Sequence, residues 1–271
     1  MDNDLLKQSE KEAEFFDTLY ADADKSQSRN DYIVPNEIIR QISHPSSPPL
    51  HYMEYASTII GDVKGKRMMD YGAGDGWTTI GFAKAGAEVM AIDISEKGVA
   101  LITKKAESNG VGDLIKAEVQ NCYKTKFSTD EFKIIFGNGI LHHLDLEASG
   151  REISRILKAD GVAVFPEPIR ETRIMDFVKT VVMFVLNKKP LEETEEEEPL
   201  TKERILVLKN YFKTVRLKYF NVFSSASLVF KSQKLASALL WLDDLFIRNV
   251  PGFEKLGRAV VIELRGPLIN D

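Results

Sequence analysis

The sequence predicts an α/β fold: a mostly parallel sheet of seven strands with helices on both faces and a helical cap. Two observations carry this. From Lys66 onward, short apolar runs alternate with stretches of helical spacing, the rhythm of parallel β-α units joined by right-handed crossovers. The first of those runs, "KRMMDYG", leads directly into Gly72, Gly74 and Gly76, a glycine-rich turn between strand and helix that lets a ligand approach the backbone. Ligands of such sheets bind beyond the C-terminal ends of the strands, and the suggestive residues fall at those ends.

Taken in order, residues 1 to 60 are expected to form an interrupted helical lid or cap, broken by "HPSSPP" at 44 to 49, where successive prolines remove donors and restrict their neighbours. The core is expected over residues 61 to 169. Here "KRMMDYG" reads as strand, Gly76 to Ala85 as helix, "AEVMAIDI" as strand, Ser95 to Asn109 as helix and "LIKAEVQ" as strand. "FKIIFGNG" is the next strand, followed by a helix through "EASGREISRIL" and a strand "GVAVFPEP" after the Asp160-Gly161 turn. Residues 170 to 210 read as a helical cap insertion and acidic loop: an apolar helix over 170 to 187, then "EETEEEEPL", a run of like charge that repels itself into solvent. "TKERILVLKNYF" opens with a Thr cap. "TVRLKYFNVF" as strand, 231 to 248 as helix and "RAVVIELRG" as a last strand make residues 211 to 271 the completion of the core.

Bulk properties bound the function. With 271 residues, 44% of them hydrophobic, the chain buries a sizeable core, and a formal charge of -5 argues against a polynucleotide partner. A lone cysteine, Cys122, permits no internal disulfide, and "MDNDLLKQSE" carries no signal-peptide run, so a reducing cytoplasm is expected. The most apolar stretch, "IMDFVKTVVMFVLN", contains Asp176 and Lys179 and is too short to span a bilayer. No metal cluster is predicted.

The glycine turn selects its ligand by charge. Asp70 precedes it and Asp75 lies inside it, close to where a pyrophosphate would sit, and the dinucleotide spacing G-x-G-x-x-G is missed because Trp77 fills the last slot. A nucleoside-like ligand that is not a polyanion follows.

With "DYGAGDG", "AIDIS", "QNCYKTKFSTDEF", "GNGILHHLD" and "ISRILKADGVAVFPEP" in this order, the chain resembles the class I S-adenosylmethionine (SAM) dependent methyltransferases, in particular the small-molecule group called type 11. The resemblance spans Gly65 to Pro168 and, more loosely, the terminal strands. It implies a Rossmann-like sheet, SAM as cofactor and a small-molecule acceptor. SAM is a sulfonium cation, so acids beside the turn suit it. By resemblance, Asp70 anchors the turn and helps hold the methionine ammonium; the plainer alternative is that it only satisfies loop N–H groups. Gly72, Ala73 and Gly74 allow close cofactor approach. Asp93, followed by Ile94, accepts from the ribose hydroxyls. Asn121 stands where the family often has Asp and, with the Cys122 N–H, serves the adenine. Asn138 and Gly139 face the methionine end. Asp75 is expected as a helix N-cap and Cys122 as a small apolar filler rather than a nucleophile.

Methyl transfer to a hydroxyl also needs a base. His142 and His143 are the histidines at the active edge, and Glu167 in "FPEP" is the acid to orient one of them, with His143 slightly favoured. The competing reading makes both histidines structural. Phe177, Val181, Phe184 and Val185, with Leu240, Trp241, Leu245 and Phe246, form an apolar set that is either core or the wall of a lipophilic acceptor site, with peripheral membrane contact as a further reading. Two other functions stay open: a SAM-binding protein without turnover, and an NAD(P)-dependent oxidoreductase, which Asp75 and Trp77 disfavour. DNA methylation is disfavoured because "GNGILHH" lacks a proline-aromatic motif.

Overall fold

The computed structural model describes residues 3–26, 32–47, 49, 51–169, 200–222 and 233–268. The expected apolar helix at 170 to 187, with Phe177, Val181, Phe184 and Val185, lies outside them, as does the acidic run up to residue 199.

Three helices come first: α1 (Asn3–Ser26), α2 (Asn36–Ser43) and α3 (Tyr52–Ile60). The alternating region follows as β1 (Arg67–Tyr71), α4 (Trp77–Lys84), β2 (Glu88–Asp93), α5 (Glu96–Ser108), β3 (Ile115–Val119), β4 (Phe132–Phe136), α6 (Leu146–Ile156) and β5 (Leu157–Pro168). Then come α7 (Lys202–Leu206), β6 (Phe212–Phe220), α8 (Gln233–Asn249) and β7 (Ala259–Pro267). Helix starts coincide with residues that satisfy free N–H groups. Ser95 accepts from Gly98 N at 2.9 Å, Asp145 from Ala148 N at 2.8 Å, and Thr201 from Arg204 N at 3.4 Å.

The seven strands form one sheet in the order β3-β2-β1-β4-β5-β7-β6. All are parallel except β7, which runs antiparallel to both β5 and β6. One boundary differs from expectation. The Asp160-Gly161 pair does not precede β5 but lies within it, where the β4–β5 register shifts between Phe132 and Ile134 and absorbs the extra residues as a bulge.

Successive strand residues point to opposite faces, and each face has its own core. Met69, Ile92, Ile135, Phe165 and Ile262 pack with α6 and α7, whereas Met68, Val89, Phe136, Val164 and Val261 pack with α2, α3 and α4. Strands buried on both sides need apolar residues at successive positions, which is why residues 68–69 of β1, 89–92 of β2 and 134–136 of β4 read as continuous hydrophobic runs. Strand order reverses between β1 and β4, so the loops leaving these two strands diverge and open a crevice at their C-terminal ends.

Candidate active site

A cavity of about 250 Å³ occupies that crevice. The turn after β1, the end of β2, the loop after β3 and the loop after β4 contribute Gly72, Ala73, Gly74, Asp93, Ile94, Asn121, Cys122, Asn138 and Gly139 to its lining. Of the residues expected at the cofactor, Asp70 alone does not line the cavity; it is fully buried.

The turn needs its glycines for shape and for space. Gly72 and Gly76 have φ of +70° and +84°. A Cβ on Gly72 would meet Ile140 Cγ1 at 2.3 Å, and one on Gly76 would come within 3.3 Å of the Ile102 backbone. Asp70 holds the turn to the next helix by accepting from Thr79 Oγ1 at 2.6 Å and Thr78 Oγ1 at 3.0 Å. Its other oxygen, Oδ1, is buried with no hydrogen-bond partner among the described residues. Burial raises the Asp70 carboxyl to about 6, more than the two threonine hydroxyls counteract.

Asp93 accepts from Gly74 N at 2.7 Å through Oδ2 and from Ser95 N at 2.9 Å through Oδ1, so the second strand's acid also fixes the glycine turn. Burial raises its pKa, opposed by these N–H bonds. With backbone N–H bonds from Gly74, Ser95 and Ile94, the carboxylate keeps lone-pair capacity for a ligand hydroxyl. Asn121 spends its oxygen on Tyr123 N at 2.8 Å and donates to Ser9 Oγ at 3.0 Å. Cys122 is buried and its thiol is held far above the usual range by desolvation, which fits a filler and not a nucleophile.

Asp75 corrects its expected role. The N-cap of α4 is Gly76, and the Asp75 carboxylate pairs instead with Lys105 Nζ at 2.7 Å. The histidines also separate. Glu167, buried at the end of β5, accepts from Ile140 N at 2.9 Å and Leu141 N at 2.8 Å through Oε1, while Oε2 lies 2.8 Å from His142 Nδ1. Its partner is thus His142 and not the favoured His143. A carboxylate only accepts, so Nδ1 donates in this contact and Nε2 is the ring nitrogen it leaves over; His142 itself, unlike His143, is not among the residues lining the cavity. His143 lines the cavity and meets the Phe16 ring edge-on at 5.3 Å between centroids.

Sequence reasoning expected a cap from residues 1 to 60 but missed which of its residues reach the site. Ser9, Glu12, Phe16 and Tyr20 of α1 line the cavity, with Phe16 and Tyr20 stacked at 5.8 Å. Their 3, 4, 4 spacing marks one helix face, a signal present in the sequence but masked by its mixture of polar and aromatic types. Leu240 is half-buried, whereas Trp241, Leu245 and Phe246 are exposed on α8. Among the described residues, no group of three or more His, Cys, Asp or Glu is placed to hold a metal ion, and no helix is long and apolar enough to cross a membrane.

A family model described as a methyltransferase domain matches residues 69–165, the segment that holds the glycine turn, Asp93, Asn121, the histidines and the end of β5's apolar run. These residues are a class I methyltransferase domain. The uncharacterized methyltransferase YcgJ of Bacillus subtilis (strain 168) is 30% identical over 96 residues, covering 35% of this chain and 38% of that protein. The ubiquinone biosynthesis O-methyltransferase of Actinobacillus pleuropneumoniae serotype 5b (strain L20) is 28% identical over 156 residues, covering 54% and 66%. The chain thus spans less than two thirds of these relatives' length. Among solved structures, geranyl diphosphate C-methyltransferase from Streptomyces coelicolor A3(2), in complex with Mg2+, geranyl diphosphate and S-adenosyl-L-homocysteine, superposes with a TM-score of 0.53 at 16% identity, covering 79% of this chain and 76% of that one. At that identity the likeness shows the fold.

Proposed function

We propose that this chain is a SAM-dependent methyltransferase that methylates a hydroxyl of a small, apolar acceptor, with His142 as the base. The residues present fit the cofactor. A carboxylate at the end of the second strand suits ribose hydroxyls, an unpartnered buried carboxylate oxygen beneath the turn suits an ammonium, and acids around the cavity suit a sulfonium. When bound, SAM supplies the activated methyl group. The chain's own part is to orient the acceptor, exclude water and remove the acceptor's proton.

The His142–Glu167 contact carries the O-methylation reading. A buried carboxylate that fixes the imidazole's tautomer and orientation is the arrangement a general base needs. His143, with Phe16, forms the wall that positions the acceptor. Phe16, Trp77, Tyr123 and Leu144 give the cavity its apolar share, and the O-methyltransferase relatives point the same way. Expected first is calorimetric binding of S-adenosylhomocysteine in preference to NADH, since Glu12 and Asp93 in a described lining without Lys or Arg disfavour a pyrophosphate. In single-turnover assays on an accepted phenol or alcohol, His142→Ala should then lose about 10²- to 10⁴-fold in rate with cofactor affinity kept, the usual worth of a general base. Glu167→Gln, which loses the acceptor that orients the ring, should also lower the rate with cofactor affinity kept. Full activity in His142→Ala with loss in His143→Ala would transfer the role to His143; wild-type rates in both would end the base reading.

A further inference from the structure

Lys105 of α5 reaches beneath the glycine turn with its side chain fully buried. Its ammonium donates to the Asp75 carboxylate at 2.7 Å and to the Asp75 backbone carbonyl at 2.8 Å, and it lies 3.6 Å from the centroid of the Trp77 ring. Two acceptors and one aromatic face match the three N–H bonds of an ammonium. Burial lowers the Lys105 pKa, and the Asp75 carboxylate counteracts it.

Both residues that Lys105 grips, Asp75 and Trp77, line the cavity, and Asp75 keeps a third of its side chain exposed there. The described lining includes Glu12, Asp75 and Asp93 but no Lys or Arg. Such a lining favours the sulfonium and ammonium of SAM and opposes the carboxylate of its amino-acid tail. At Asp75 a buried cation stands directly behind the acid, so the pair presents an oxygen surface with little net charge. We propose that Lys105 is a positioning residue for cofactor selection: by neutralising Asp75 it lets the glycine turn receive the carboxylate-bearing tail of SAM. This rests on the SAM reading above.

The test compares S-adenosylhomocysteine with 5′-methylthioadenosine, which lacks the amino-acid tail, by calorimetry. Lys105→Met should weaken S-adenosylhomocysteine by about tenfold or more, as expected when a partly buried acid in the lining loses its cation, while methylthioadenosine changes by less than about threefold. Adding Asp75→Asn to Lys105→Met should restore S-adenosylhomocysteine binding, because the uncompensated charge is then gone. A merely structural lysine would weaken both ligands alike, with no recovery in the double variant, and that result overturns the proposal, as does unchanged affinity for both. If Lys105→Met does not fold, Lys105→Gln keeps a donor for the Asp75 carbonyl without the charge, and the same change in the ratio of the two affinities is required of it. Failure of the wild-type chain to bind S-adenosylhomocysteine is a separate result, which removes the cofactor reading itself.

Discussion

A carboxylate sealed beneath a turn with one oxygen unpartnered works against folding, and Asp70 is such a group. Its pKa rises from 3.8 to about 6 on folding. The native state therefore holds that proton more tightly than the unfolded chain does, and stability falls as pH climbs from about 4 to about 6, by on the order of 3 kcal/mol before levelling off. Asp93, also raised, adds to the fall. Asp70→Asn should flatten the decline in melting temperature between pH 4 and 6.5 and weaken S-adenosylhomocysteine; a melting profile as steep as the wild type's would show that Asp70 is not the group responsible. The acids at strand ends were legible because a charged residue closing an apolar run at a glycine turn has few purely structural reasons to be there. The partners of those side chains were not. Whether Glu167 meets His142 or His143 depends on how one short 3₁₀ turn, Leu141–His143, rotates two adjacent rings. Lys105 looked like any helix lysine until the fold put Asp75 beside it.

At the scale of elements, α1 combines a readable helix with an unreadable place. Its attachment to the rest of the molecule is largely polar: Asp17 accepts from Ser95 Oγ at 2.5 Å and Lys97 N at 3.0 Å, and Asp24 pairs with Lys104. Those ties use the buried N-cap of α5 and two residues of the helix itself, Lys97 and Lys104, and no sequence period announces them. Phe15 and Leu19 meanwhile stay exposed on the outer face. Because Ser95 N also donates to Asp93, the contact from α1 reaches the carboxylate expected to hold the ribose. Few buried apolar contacts and a ligand beneath it are the conditions for a helix that opens on its own and closes on binding. S-adenosylhomocysteine should therefore slow tryptic cleavage at Lys7, Lys11 and Lys25 several-fold, and Asp17→Ala should reduce that protection. Equal cleavage rates with and without ligand would make α1 a fixed wall.

For the molecule as a whole, alternation of strand and helix foretold the sheet, yet the order of its last three strands was beyond reach. An apolar run buried on both faces looks the same whichever way it points, so "RAVVIELRG" disclosed a strand and not its direction or neighbours. In the fold, β7 inserts antiparallel between β5 and β6, pairing Val162 to Pro168 on one side and Phe212 to Phe220 on the other. The final strand of the chain is thus an interior strand of the sheet, with Val260, Ile262 and Leu264 in one core and Val261 in the other. Helix α1, first in the chain, packs against α5 beside the cavity and contributes little to either core. Truncation should consequently be asymmetric. Removing residues 259–271 takes out the bonds that hold β6 and opens both cores, and the cooperative thermal transition should disappear. Removing residues 1–26 should leave a cooperative transition lowered by only a few degrees, with cofactor affinity reduced because Phe16 and Tyr20 are gone. Melts of the two truncated chains, read beside calorimetry of the second, check this directly. A cooperative melt without β7 would mean that β5 and β6 hold together by other contacts, and loss of the melt without α1 would make that helix part of the folding unit.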